Sequence, residues 1–159
     1  MTLIKNPIVA NSKSYNIIVS MIVESVQARY HESITTEGGD ILSILSENKS
    51  RVVHKGHVGS IVSVDDALTV IEGSADSVVA RHLGEAVIFG TVGEAFAEKH
   101  ARILIVGDLG KAIVGKDGEI RATGEIGETE YRDGEGQGTV KPNYELSEET
   151  RNLLRKFLL

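Results

Sequence analysis

The sequence predicts a single-domain α/β or α+β fold, in which helices pack on a mixed sheet of about five strands. The 159 residues are 41% hydrophobic, which is enough for one domain with a full core. From residue 51 onward, short apolar runs alternate with capped segments, a pattern typical of a sheet covered by helices. A Gly-x-(Val/Leu)-Gly motif also recurs beside apolar runs, at residues 56–59, 90–93 and 107–110, and marks strand ends.

The N-terminal part predicts two helices. In residues 12–30 apolar side chains recur at helical spacing after Ser12, a residue type that caps helices. A buried strand over residues 15–23 is the alternative, because this stretch is rich in β-branched residues. Gly38 and Gly39 then precede a shorter helix over residues 40–47, which polar residues 48–50 end.

The middle of the chain predicts alternating strands and helices. Strands are expected near residues 52–53, 61–62, 77–80, 86–89 and 101–106, and helices over residues 64–72 and 92–100. Each helix follows a capping box, which starts at Ser63 in the first case and at Thr91 in the second. Residues 112–120 predict a hairpin, with Gly118 in its turn.

The C-terminal part changes in composition. Residues 1–126 are predicted to form the α/β domain, residues 127–146 a Gly/Glu-rich loop, and residues 147–159 a terminal amphipathic helix capped by Ser147. The helix has an apolar stripe formed by Leu153, Leu154, Phe157 and Leu158. This stripe needs a partner, which is either the protein's own core or a second subunit, and we predict a homo-oligomer that associates through the C-terminal helix.

Composition disfavours several classes of protein. The net charge is −6 and the basic residues form no stripe, so nucleic acid is not an expected partner. The longest apolar stretch, residues 17–23, is far shorter than the roughly 20 residues that span a bilayer, so no membrane partner is expected. The absence of cysteine excludes disulfides and fits the cytoplasm. Nothing in the sequence identifies a cofactor or a metal.

The second Gly-x-Val-Gly motif is a candidate anion site. Gly90, Thr91 and Gly93 lie between a predicted strand and a predicted helix N-terminus, where free N–H groups and the helix dipole favour phosphate or carboxylate. Glu94 already places a carboxylate in that first turn. Structural capping therefore explains the same residues without a ligand, and we favour it over anion binding.

The densest polar cluster is His54, Lys55 and His57. Two imidazoles and an ammonium group are suited to a metal, an anionic substrate or acid/base catalysis near neutral pH. Residues three apart on a straight strand face opposite sides, so convergence requires a turn at Gly56. Solvated histidines are the favoured alternative, and His54 and His57 are the predicted catalytic residues if the protein is an enzyme.

Two more basic residues, Arg81 and His82, end another predicted strand. In a largely parallel sheet, His82 would lie with His57 and Thr91 along one carboxyl edge, where open α/β sheets bind ligands. The leading hypothesis is therefore a small-ligand-binding or regulatory module for an anionic metabolite. One alternative is a small cytosolic enzyme that uses His54 and His57. The other is a self-assembling structural protein, indicated by the aromatic-poor body and the apolar C-terminal stripe.

Overall fold

The structure is a computed structural model that describes residues 3–4, 8–9, 14–18, 22–132 and 138–156, with side chains described over 23–36, 38–132 and 138–152. These residues form a parallel β-solenoid of about 7 turns. Every strand pairing in the described part is parallel. Each turn therefore lies on the one before it, and the backbone hydrogen bonds between turns run along the solenoid axis.

The elements have the following bounds. The strands are β1 (Leu3–Ile4), β2 (Ile8–Val9), β3 (Ser14–Ile18), β4 (Ile22–Ala28), β5 (Ser33–Ser46), β6 (Arg51–Val64), β7 (Leu68–Glu72), β8 (Ala75–Arg81), β9 (Glu85–Phe89), β10 (Val92–Ala97), β11 (Arg102–Ile105), β12 (Leu109–Val114), β13 (Glu119–Ala122), β14 (Ile126–Tyr131) and β15 (Thr139–Lys141). Helix α1 (Glu148–Lys156) follows β15.

Each turn contributes to two stacks of strands. The A stack contains β3, the first halves of β5 and β6, and then β7, β9, β11, β13 and β15. The B stack contains β4, the second halves of β5 and β6, and then β8, β10, β12 and β14. Strands β1 and β2 pair with β4. The long strands β5 and β6 pass through both stacks.

From β6 to β14 a constant interval keeps equivalent residues above one another. Leu68 pairs with Glu85 in the A stack, and Ala75 pairs with Val92 in the B stack, so both pairs are 17 positions apart. The turn that begins at Ser33 is longer, because its register with β6 shifts between Glu37 and Asp40. The chain is therefore a repeat protein, in which each repeat is one solenoid turn of about 17 residues.

The core consists of columns of small and branched apolar side chains. One column of buried residues contains Ile34, Val52, Thr69, Ala86, Ile103 and Ile120, and another contains Ile41, Val58, Ala75, Val92 and Leu109. Each buried Val, Leu or Ile stabilises the fold by about 1.5–3 kcal/mol relative to an exposed one. The interior is filled by these residues, which explains how a chain with 4% aromatic residues builds a core.

Glycine forms the corner between the A and B strands of a turn, which we call the glycine corner. Gly56, Gly73 and Gly107 have φ values of 148°, 153° and 155° there, which L side chains rarely adopt. A Cβ atom on Gly73 would also lie 2.1 Å from the carbonyl oxygen of Gly56 in the preceding turn. The recurring glycine motif therefore marks this corner of the solenoid.

The opposite corner, which we call the left-handed corner, carries two non-glycine residues with positive φ in each of five successive turns. These residues include Tyr30 and His31, Asn48 and Lys49, Asp65 and Asp66, His82 and Leu83, and Lys99 and His100. Their strained backbone is stabilised by hydrogen bonds to the next turn, such as Lys49 N to Asp65 O at 2.9 Å. This corner displays polar side chains in two rows along the solenoid.

The predicted α/β fold is wrong, and its four N-terminal and central helices are wrong with it. Residues 12–30, 40–47, 64–72 and 92–100 contain strands and corners instead. In each B strand the inward positions are three and then two residues apart, as in Val58, Ile61 and Ser63. The bend that produces the first interval gives a strand the i, i+3 spacing of a helix. The two segments that were predicted as capping boxes, at Ser63 and Thr91, instead lead into the left-handed corner and the glycine corner.

Other predictions have mixed outcomes. The strand alternative for residues 15–23 is confirmed for the described positions in β3 and β4, whereas Ser12 and residues 19–21 lie outside the described part.

The hairpin over residues 112–120 is wrong, because β12 and β13 belong to different stacks and pair in parallel with other strands. A helix is present as α1 over Glu148–Lys156 of the predicted 147–159, residues 157–159 lie outside the described part, and Ser147 Oγ accepts a hydrogen bond from Thr150 N at 3.1 Å. Strands β14 and β15 occupy parts of the predicted 127–146 loop.

Candidate functional site

His54 lies inside the solenoid, at the end of the A half of β6. Its side chain is fully buried, and its Nδ1 atom is 2.8 Å from Thr36 Oγ1 of the preceding turn. The parallel register places Thr36 directly beside His54, and Ile71 occupies the next turn. Among the described residues Nε2 has no hydrogen-bond partner. His54 is therefore a polar member of a core column.

Burial lowers the pKa of His54 below its ordinary value of 6.5, because the charged imidazolium loses its hydration. Backbone groups of Gly39, His57 and Thr36 and the nearby carboxylate of Asp40 act in the opposite direction, with smaller effects. The neutral form is favoured near pH 7.

His57 lies on the outside, at the glycine corner. Its side chain is 38% exposed, with Nδ1 2.7 Å from Ser74 Oγ and Nε2 3.4 Å from Asp76 Oδ1. Ser74 follows His57 by one 17-residue turn, so the solenoid itself brings these side chains together. The sequence patterns did not single out Ser74 or Asp76; the 17-residue interval is the signal that identifies Ser74, and Asp76 lies two residues after it. The structure does not bring His54 and His57 together.

The connectivity of Ser74, His57 and Asp76 resembles that of a Ser-His-Asp hydrolase, but the geometry differs in its essential part. In such enzymes a buried aspartate holds the imidazole and stabilises its charge. The side chain of Asp76 is 74% exposed, and 3.4 Å is longer than the usual 2.7–3.2 Å of an N–H···O hydrogen bond. The set is therefore a surface hydrogen-bond network of one corner.

The predicted anion site lies in the glycine corner rather than at the start of a helix. Residues 92–97 form β10, so the helix dipole on which that prediction rested is not present there. The N–H of Val92 donates to Asp108 O, and the carbonyl of Thr91 accepts from Ala75 N, both at 3.1 Å. Backbone groups around Gly90, Thr91 and Gly93 thus bind neighbouring turns. Whether these residues also contact a ligand stays a prediction.

The remaining predicted ligand-binding residues are dispersed. Arg81 pairs with Glu98, with Nε and Oε1 2.9 Å apart, and its guanidinium lies 5.3 Å from the centroid of the Phe96 ring. Lys55 lies in the A stack, where the register places it between Glu37 and Glu72.

His82 occupies the left-handed corner, and its Nε2 is 3.5 Å from Lys99 Nζ. That corner lines an open groove of about 910 Å³, whose mixed charges do not select one ligand class.

The C-terminal end of the solenoid is an open sheet edge. Within the described chain β14 pairs with β12 alone and β15 with β13 alone. In β14 the inward columns of the core end in Ile126, Thr129 and Tyr131, of which Ile126 is half-buried, Thr129 is exposed and Tyr131 is 50% exposed. The core therefore reaches the end of the solenoid without a polar cap among the described residues.

The segment after β15 turns away from this edge. Asn143 N donates to Gly124 O at 2.9 Å, and Tyr144 N donates to Ala122 O at 2.8 Å. The hydroxyl of Tyr144 accepts a hydrogen bond from Arg121 Nη1 at 2.9 Å. The chain thus continues along the outer side of the A stack, and these residues leave the edge of β14 uncovered.

Neither a metal site nor a membrane-spanning helix is present among the described residues. The described residues contain no group of three or more His, Asp or Glu side chains arranged to hold a metal ion. No helix in the described part is both long and apolar enough to cross a membrane.

Comparisons with known proteins found no matching family model, no similar curated protein and no similar solved structure.

Proposed function

We propose that this chain is a self-assembling structural protein, whose solenoids join end to end through the open edge at β14. The observation that carries the proposal is the exposed end of the core, where Thr129 and Tyr131 occupy inward columns on which no described strand stacks. Repeat proteins usually need a capping repeat with a polar outer face to remain apart in solution. This end lacks such a cap among the described residues.

The edge also offers backbone hydrogen bonds. A strand at the end of a parallel stack directs half of its N–H and C=O groups away from its neighbour, and those groups are a template for another strand. A second copy that pairs here extends the B stack and buries Tyr131 and Thr129 in a continued core. The repeating geometry of the columns favours this contact, because each turn presents the same outline.

The function of ligand binding is the less supported proposal, because its expected helix N-terminus is a strand. Association through the C-terminal helix has no support in the described contacts, whereas the edge of β14 supplies both apolar and hydrogen-bonding groups. We further propose a cytoplasmic location, because the chain has no cysteine and the cytoplasm is a reducing compartment.

Sedimentation and negative-stain electron microscopy of the full chain test the proposed assembly. We expect the unmodified protein to sediment as assemblies larger than one chain, whose mass rises with concentration. Thr129→Lys should yield monomers with an unchanged far-UV spectrum, because the lysine is exposed in one solenoid but would be buried between two. The matched control is Glu128→Lys, a larger charge change on the adjacent exposed residue, which should preserve the assemblies.

Two outcomes would overturn the proposal. The first is an unmodified protein that remains monomeric over a wide concentration range. The second is a Thr129→Lys variant that assembles as well as the Glu128→Lys control.

A further inference from the structure

The outer side of the A stack carries an apolar column that is buried from solvent. Val53, Val70 and Val87 alternate with the inward residues of their strands, yet their exposed fractions are 3%, 0% and 8%. They form a cluster of their own, separate from the core, with Leu68 and Leu104 packed against it. An outward column on one wall of a solenoid is buried only when another segment covers it.

The described C-terminal segment leads onto this column. The ring of Tyr144 lies under the guanidinium of Arg121, 4.6 Å from centroid to Cζ. Leu146 and Thr150 then line a cleft of about 260 Å³ together with strand residues that include Val87 and Leu104. The segment therefore passes from the turn of Arg121 towards earlier turns, and it enters α1 beside the apolar column.

The length of α1 matches the length of the column. Its 9 residues span about 13 Å at 1.5 Å per residue. Neighbouring turns are about 4.8 Å apart, so the helix extends across almost three turns. That distance covers the interval from the turn of Leu104 to the turn of Val53.

We propose that residues 147–159 are a strap that docks on the outer A stack of the same molecule, with the apolar stripe of the helix on Val53, Val70 and Val87. The side chains of that stripe, Leu153, Leu154, Phe157 and Leu158, lie outside the described part of the chain. The strap closes an apolar surface that would otherwise be open to a partner. This inference is independent of the assembly proposed for the β14 edge.

Thiol reactivity in the full chain tests the strap, because the protein has no cysteine of its own. A Val70→Cys variant provides one thiol beneath the proposed strap. Adding Leu154→Asp and Phe157→Asp should raise its rate of reaction with a water-soluble thiol reagent at least about tenfold, because the strap then detaches. Adding Asn152→Asp, a change at an exposed helix residue, is the matched control and should leave the rate unchanged. Equal rates in all three proteins would overturn the proposal.

A crosslinking measurement tests the docking of the strap without introducing a charged side chain that weakens it. A protein with Val70→Cys and Leu154→Cys is treated with a short thiol–thiol crosslinker. We expect a crosslinked product with the mass of one chain, in a yield that does not change on dilution. A product with the mass of two chains would show that the helix covers a second copy, and would overturn docking within one molecule.

Discussion

His54 is a polar residue in a column that is otherwise apolar or small. Its equivalents in the next turns are Ile71 and Ile88, both fully buried. The hydrogen bond to Thr36 satisfies one ring nitrogen, and the Gly39 turn lies against the other side of the ring. Folding therefore encloses a titratable group whose charged form is less favourable in the folded chain than in the unfolded chain.

The buried imidazole should make stability depend on pH. Because the pKa of His54 is lower in the folded chain than its ordinary value of 6.5, the unfolded chain binds more protons below that pH. The contribution of His54 to stability is then complete above about pH 6.5 and is lost as the pH falls, by up to about 1.4 kcal/mol per pH unit. We expect His54→Ile to unfold with a weaker dependence on pH between 7 and 5, measured by urea denaturation.

The control for this prediction is His57→Gln, which removes a half-exposed histidine three residues away. This variant should retain the pH dependence of the unmodified protein. The interpretation of His54 would be wrong if His54→Ile and the unmodified protein lost stability in parallel as the pH falls.

The glycine corner has a conformation that side chains cannot adopt at low cost. Gly73 combines a φ of 153° with a Cβ position 2.1 Å from a backbone oxygen, so neither a rotamer change nor a small shift relieves the contact. We expect Gly73→Ala to lower the free energy of unfolding by more than about 3 kcal/mol. Chemical denaturation monitored by circular dichroism measures this loss.

Ser74→Ala is the neighbouring control at the same corner. It removes the hydrogen bond from Ser74 to His57 and should cost about 1 kcal/mol. If the two substitutions lowered stability equally, the corner would tolerate a side chain and its backbone conformation would not be the reason for glycine.

The sequence patterns predict which segments are buried more accurately than they predict the secondary structure of those segments. The apolar runs that include Ile61, Ile88 and Ile103 are buried as expected, and α1 begins one residue after the predicted cap. Helices were predicted where strands bend, because the bend changes the period of two that identifies a strand. The glycine motif predicts strand ends and, at residues 90–93, a capped helix start in preference to an anion site, whereas its recurrence after 17 residues marks the corner of a repeat.

The candidate site depended on that same interval. His57, Ser74 and Thr91 are each one turn apart, so a repeat alignment alone places them on one corner. No such alignment shows that His54 is enclosed, because its neighbours in the sequence, Lys55 and His57, are half-buried at the surface. The open edge at β14 also has no sequence signal before the number of turns is known.

At the scale of the whole molecule, stability should come from nearest neighbours along the axis. Each turn contacts the turns before and after it, so the solenoid should tolerate the loss of one complete turn. We expect a deletion of residues 68–84, which is 17 residues, to fold with a lower free energy of unfolding and to keep its β-type circular dichroism spectrum.

A deletion that is one residue shorter is the contrasting case. Removing residues 68–83 leaves one extra residue at the left-handed corner, which the corner must accommodate as a local bulge, as the turn from Ser33 does between Glu37 and Asp40. This variant should unfold at a lower denaturant concentration than the 17-residue deletion. Equal behaviour of the two deletions would contradict the view that the 17-residue register holds the turns together.

The direction of the hydrogen bonds gives the solenoid unequal mechanical properties. All inter-turn bonds lie along the axis, so a tensile force on the two ends acts on successive interfaces in series, and the weakest interface yields first. The interface between β12 and β14 is the natural point of failure, because β14 is the most exposed strand of the B stack. A force perpendicular to the axis instead acts on the covalent chain of each turn. The molecule should therefore be stiffer perpendicular to its axis than along it.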